Sequence, residues 1–160
     1  MTSPQSNVDG TEQIVIVAYE APPELLAQVM RHEGLRLLPY RDTRGILTIG
    51  YGHNLAEPIA AEVAELQLKH DIEAIAHQVA GVFGDDVWPQ LTPARQAALI
   101  DMGFMGPAKL ARFEKMIAAI RRGAWQTAHD EVLSSQWAVE VKQERSNRDA
   151  DMLLTGEWLP

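Results

Sequence analysis

Residues 32–53 read HEGLRLLPYRDTRGILTIGYGH, and within them the chain changes its period. Upstream, Pro22-Pro23 opens a helix, because proline is tolerated in a first turn whose N–H groups lack partners. Leu25, Leu26, Val29 and Met30 fall at helical spacing and are expected to face a core. Gly34 is placed to stop that helix, which leaves Glu33 in its last turn. Downstream, Pro39, Asp42-Thr43 and Gly45 are turn residues, and Ile46-Leu47-Thr48-Ile49 is β-branched and aliphatic. A small antiparallel sheet over residues 37–51 follows.

Beyond this stretch the pattern is helical. Ile59, Val63, Leu66, Ile72, Ile75 and Val79 form an apolar stripe over residues 57–82, with Glu62, Glu65, Lys69 and Glu73 off it. That helix is long enough to connect two lobes, and Gly84-Asp85-Asp86 ends it. Thr92-Pro93 supplies an N-cap and first helical residue for a segment, AALIDMGFM, that is apolar nearly all round and predicted to be buried. Short helices are expected over residues 110–122, 125–134, 137–143 and 147–154, with breaks at Gly123 and Gly156. The fold class is therefore α+β, mainly α: a small antiparallel sheet lobe joined by a long helix to a helical C-terminal lobe.

Residues 1–10 are polar and read as a tail. Residues 11–19, through Ile14, Val15, Ile16 and Val17, suit a short strand, an apolar strap on the body, or a docking segment. We divide the chain into an extension over 1–21 and one folded domain over 22–160, the part that carries the candidate chemistry.

Composition narrows the function classes. A formal net charge of -8 argues against nucleic-acid binding, which leaves a basic footprint. No cysteine is present, so there is neither a disulfide framework nor a thiolate metal site. The run at Ile14–Ala18 is far shorter than the ~20 apolar residues of a membrane span, and no stable membrane insertion or secretion signal is expected. His53, His70 and His77 lack a compact set of further ligands, so neither a metal nor another cofactor is expected.

Glu33 and Asp42 suggest acid–base chemistry on a sugar bond. Glycoside hydrolysis needs one protonated acid for the leaving oxygen and one ionised carboxylate opposite it, held in different environments. A helix C-terminus disfavours the charged form of Glu33, whereas Asp42, among polar turn residues beside Arg41, suits an ionised role. The bend at Gly34 and Pro39 is compatible with one shared cleft. Thr48 on the return strand can help Asp42 hold a water for direct attack. That gives inversion when acid and base stand about 6.5–9.5 Å apart.

Glu33, Asp42 and Thr48 occur as E-x8-D-x5-T with the intervening glycines and Tyr40, and the segment closes on Gly-Tyr-Gly-His. This pattern resembles the phage T4-type lysozymes and endolysins, a glycoside hydrolase family. The resemblance extends through residues 97–106, Trp137 and the end segment Arg145…Thr155-Gly156-x-Trp158, covering roughly 22–158. It implies a lysozyme-like fold and cleavage of the β-1,4 bond between N-acetylmuramic acid and N-acetylglucosamine in peptidoglycan. Glu33 is then the general acid, with Asp42 and Thr48 positioning water. Arg145 is placed as the cationic partner of the acid, with Arg148 as the other assignment. His53 and Asp71 are placed as a structural ion pair, and Tyr40, Gly52, Phe104 and Trp137 line the substrate.

Three departures stand out. The stretch between His53 and Asp71 is shorter than in the T4 protein, as in lambdoid-phage members. Phe104 is followed by Met105-Gly106 where the T4 protein has a glutamine, and the N-terminal extension lies outside the family's core. The resemblance further implies a monomer that collects in host cytoplasm until a holin releases it to the periplasmic wall, or one carried in the virion. Arg31, Arg36, Arg41, Arg44, Arg145 and Arg148 are expected to make a locally basic cleft on the acidic body. Two other classes compete: a lytic transglycosylase, which would not need Asp42 and Thr48 to hold water, and a non-catalytic wall-binding or virion module.

Overall fold

The structure, a computed structural model, describes residues 20–159. It is α+β and mainly helical, and forms two compact units that divide between Pro58 and Ile59. The expected strand or strap over residues 11–19 lies outside the described residues.

The N-terminal unit holds α1 (Pro23–Glu33), β1 (Arg36–Arg41), β2 (Leu47–Gly50) and β3 (His53–Asn54). Gly34, at φ 68, stops α1 and donates its N–H to Met30 O at 3.1 Å, so Glu33 is the last helical residue. The strands form an antiparallel sheet in the order β1-β2-β3. Tyr40 pairs with Thr48 and Arg41 with Leu47, while Thr48 also pairs with Asn54. An irregularity between Arg36 and Tyr40 accommodates Pro39, which has no ladder donor.

One expectation needs correction. Leu25, Leu26, Val29 and Met30 remain 38–55% exposed, so the N-terminal unit does not bury the apolar stripe of α1. A three-stranded sheet with a two-residue third strand is too small to cover a helix of three turns.

The C-terminal unit begins with α2 (Ala61–Phe83), whose start falls four residues later than expected. Its far end packs inward through Val79 and Phe83, with Ile75 and Val82 beside them. Val63, Leu66 and Ile72 stay 39–58% exposed, so this unit covers only part of the predicted stripe. A 3-10 turn at Trp88–Gln90 leads to α3 (Pro93–Gly103), capped by Thr92 as read from the sequence, with Thr92 Oγ1 accepting from Arg95 N at 3.3 Å. Ala94, Ala98, Leu99, Met102 and Gly103 are buried while Asp101 is half-exposed, so α3 buries one face rather than its whole girth.

Gly103 lets α3 approach α2 closely: a Cβ there would lie 2.8 Å from the Cγ2 atoms of both Ile75 and Val79. The expected helix at 110–122 is two pieces, α4 (Pro107–Leu110) and α5 (Glu114–Arg121). Then come α6 (Trp125–Leu133), α7 (Gln136–Glu140) and α8 (Gln143–Thr155). Helix α8 starts four residues before its expected position, with Lys142 as its N-cap.

Helices α3 and α8 are fastened at one end by side chains reaching helix-terminal carbonyls. Thr92 Oγ1 donates to Gly156 O at 2.8 Å, and Arg95 donates from Nε to Leu153 O at 2.8 Å and from Nη2 to Leu154 O at 3.1 Å. The last carbonyls of a helix have no intrahelical donors, so these bonds satisfy groups otherwise left unpaired. The core of this unit gathers Leu99, Met102, Leu110, Met116, Val132 and Leu153, all essentially buried.

Candidate active site

Asp42 follows β1 directly and organises the hairpin around its own carboxylate. Its Oδ1 accepts from Arg44 N at 2.9 Å and from Ile46 N at 2.8 Å, while its backbone N–H donates to Ile46 O at 2.9 Å. Arg44 Nε stands 3.6 Å from Oδ2. The Ile46 amide bond, opposed by partial desolvation and aided by the Arg44 amide and guanidinium, holds the Asp42 carboxyl below its ordinary range. The cation responsible is Arg44 and not Arg41, which instead donates to Gly45 O at 2.8 Å.

Thr48 lies on β2 six residues later and is 4% exposed, its hydroxyl donating to Ile46 O at 3.0 Å. Residues directly opposite in an antiparallel pair project to the same face, so Tyr40, Thr48 and Asn54 share one side of the sheet. Arg36 covers the Tyr40 ring at 4.3 Å. Glu33 is exposed at the end of α1. A Cβ on Gly52 would sit 3.5 Å from Glu33 Oε2, and Gly52 has φ +89. The N-terminal unit therefore brings Glu33 beside the β2–β3 turn and places Asp42 and Thr48 on one hairpin.

His53 is half-buried on β3, and its Nε2 is buried without a hydrogen bond inside this unit. Asp71, in the C-terminal unit, accepts from Gln67 Nε2 at 2.8 Å along α2.

The C-terminal unit brings Arg145 and Trp137 together, with the guanidinium 5.8 Å from the ring centroid. Arg145 is held by Asp101: Nε donates to Oδ2 at 2.9 Å, and Nη2 donates to Oδ1 at 3.1 Å and to Asp101 O at 2.8 Å. This partner was not read from the sequence, although a lone acid inside AALIDMGFM was a usable signal. Asp149 was also missed. It lies one helical turn after Arg145, is 3% exposed, and touches the Asp101 side chain. Burial, then the Asp101 charge, pushes its carboxyl up to about 8.

Phe104 is 41% exposed just past α3, whereas Trp137 is buried. Met105, Phe113 and Trp137 help to line a cavity of about 660 Å³, with Lys109, Arg112 and Glu140 among its polar residues. Among the described residues, no three His, Asp or Glu side chains gather as a metal site would require, and no helix is long and apolar enough to cross a membrane.

The architecture is that of a lysozyme-like α+β protein, a small carboxylate-bearing sheet followed by a helical unit. The profile of the phage lysozyme family matches residues 30–149, and the chain belongs to that family. It is 28% identical to the pre-baseplate central spike protein Gp5 of Enterobacteria phage T4, an alignment covering 94% of this chain and 31% of the spike protein. It is 27% identical to a probable T4-type lysozyme 2 of Dictyostelium discoideum, covering 78% of this chain and 89% of that one. An endolysin of Acyrthosiphon pisum secondary endosymbiont phage 1 is 34% identical over 49% of this chain and 54% of its own. The chain thus spans under a third of the spike protein and about half of the endolysin.

Proposed function

We propose that the chain is a peptidoglycan hydrolase, a muramidase that cleaves the β-1,4 bond between N-acetylmuramic acid and N-acetylglucosamine with inversion. Glu33 is the general acid that protonates the leaving oxygen. Asp42 and Thr48 hold the attacking water, with Asp42 taking its proton. The observation that carries this reading is the Asp42 carboxylate. Two backbone amides and Arg44 hold it ionised on the hairpin that also bears Thr48. An ionised base beside a hydroxyl suits water activation, which a transglycosylase does not need.

The remaining assignments belong to the same reading. Arg145 serves as the cation supporting the acid, His53 and Asp71 as a structural ion pair, and Tyr40, Gly52, Phe104 and Trp137 as substrate-lining residues. The protein acts as a monomer on wall peptidoglycan, reached from the host cytoplasm through a holin. Delivery in the virion is the second reading, and likeness to a phage spike protein over 94% of this chain favours it.

The test is turbidity clearing of outer-membrane-permeabilised cells. Glu33→Gln should lower the rate about 100-fold or more, and equal clearing by both proteins overturns the acid assignment. Products should carry free reducing ends that appear first as the α-anomer. 1,6-Anhydro ends would mean a transglycosylase.

A further inference from the structure

Two carboxyl groups act on Arg145, and Asp101 is the one that holds it by hydrogen bonds. Asp101 takes the guanidinium through Nε and Nη2, and Nη1 has no part in those bonds. Asp149 follows Arg145 by one turn on the same helix. Its side chain is buried, it contacts Asp101, and its Oδ2 meets no hydrogen-bond donor. Two carboxylates in contact out of water do not both ionise when one proton between them relieves the repulsion. Asp101 is half-exposed and is the one paired with Arg145. The buried Asp149 is the better acid, and its proton has a natural acceptor in Asp101.

The other charges around Asp149 do not replace that proton. On its own helix, Arg145 and Arg148 favour the ionised form, but less than burial and Asp101 oppose it. From α3, Arg95 is committed to the carbonyls of Leu153 and Leu154. From α6, His129 lies between Asp130 at 2.8 Å and Asp151 at 3.3 Å. Glu140 is the only ionisable side chain of α7.

We propose that the Asp101–Asp149 pair holds one shared proton and that this proton positions Arg145, making Asp149 a positioning residue for the hydrolase. With the proton in place, Asp101 is a singly charged anchor, and the guanidinium stays in its fork near Trp137. When the proton leaves, a second negative charge opens at the unpartnered Oδ2. The guanidinium is drawn toward it, and Arg145 shifts off the orientation that serves the acid. The functional half of this proposal rests on the hydrolase reading.

The experiment compares the full chain with its Asp149→Asn variant, whose amide is a permanent donor toward Asp101. In wild type, carbon NMR should find one aspartate carboxyl titrating near pH 8. The side-chain Nε–H resonance of Arg145 should move with the same midpoint. Both transitions should vanish in Asp149→Asn, and Asp101→Asn should lower the carboxyl midpoint by removing the like charge. Between pH 7 and pH 9 the wild-type clearing rate should fall about tenfold further than that of Asp149→Asn. The proposal is overturned if no aspartate carboxyl titrates above about pH 6, if Arg145 ignores that titration, or if the two pH profiles run parallel. If neither protein clears cells at any pH, the hydrolase reading fails, and the two resonance titrations alone decide the proposal.

Discussion

The guanidinium of Arg95 lies over the indole ring of Trp125, 3.6 Å from its centroid, while bonding two carbonyls at the end of α8. One side chain thereby joins α3, α6 and α8. Desolvation lowers its pKa, so the stacked ring and the two carbonyls must compensate for lost water. Arg95→Met keeps the stem and removes the bonds, and should cost about 2 kcal/mol of stability. Arg95→Lys should recover only part of this, because an ammonium cannot make the same planar contacts. Urea unfolding measures both, and a loss under about 0.5 kcal/mol in Arg95→Met would remove Arg95 from this role.

Gly103→Ala should destabilise the C-terminal unit through overpacking. The new methyl would meet Ile75 Cγ2 and Val79 Cγ2 at 2.8 Å. A cost of about 1–2 kcal/mol remains after the helix preference of alanine is credited. Val79→Ala makes room, so the double variant should be more stable than the sum of the two single losses. Strict additivity of the two denaturation midpoints would show that the helices part elsewhere.

Gly52→Ala tests the β2–β3 turn beside Glu33. Positive φ makes the substitution cost about 1–2 kcal/mol in stability. The methyl would also stand in van der Waals contact with Glu33 Oε2, at 3.5 Å, the oxygen that the proposed mechanism uses to deliver the proton. Clearing should fall about 10–100-fold under conditions where the variant is still folded by circular dichroism. Full activity in the folded variant would separate this turn from the reaction.

Asp149→Asn should raise stability in a pH-dependent way. The wild-type carboxyl keeps its proton up to about pH 8 when folded and releases it near pH 4 when unfolded. Across that window the unfolded chain binds fewer protons, so wild-type stability falls as pH rises. The variant has no such loss. Thermal unfolding should show little difference at pH 4 and a gain of about 3–4 kcal/mol for the variant at pH 7. A gain that does not change with pH would mean that Asp149 is ionised in the folded protein.

Local chemistry was legible where a residue's neighbours in sequence are also its neighbours in space. Gly34 stopped α1 and left Glu33 at its end, Thr92-Pro93 started α3, and the turn residues around Asp42 produced the hairpin. Periodicity located the apolar stripes of α1 and α2, but it cannot say what covers a stripe, and much of each stripe is left exposed by its own unit. Asp101 and Arg145 stand 44 residues apart, and nothing in either local sequence names the other. Asp149 reads as an ordinary polar helix residue until the packing of α3 on α8 removes its water.

The bond from Thr92 to Gly156 spans 64 positions and has a consequence in time. The start of α3 leaves the ribosome long before the carbonyl it must grip. At about 5–20 residues per second the intervening chain takes roughly 3–13 s to emerge. During that interval the buried face of α3 has no α8 to lie against. A nascent-chain protease assay should find Leu99 and Met102 open to cleavage until Gly156 clears the exit tunnel, and abruptly protected afterwards.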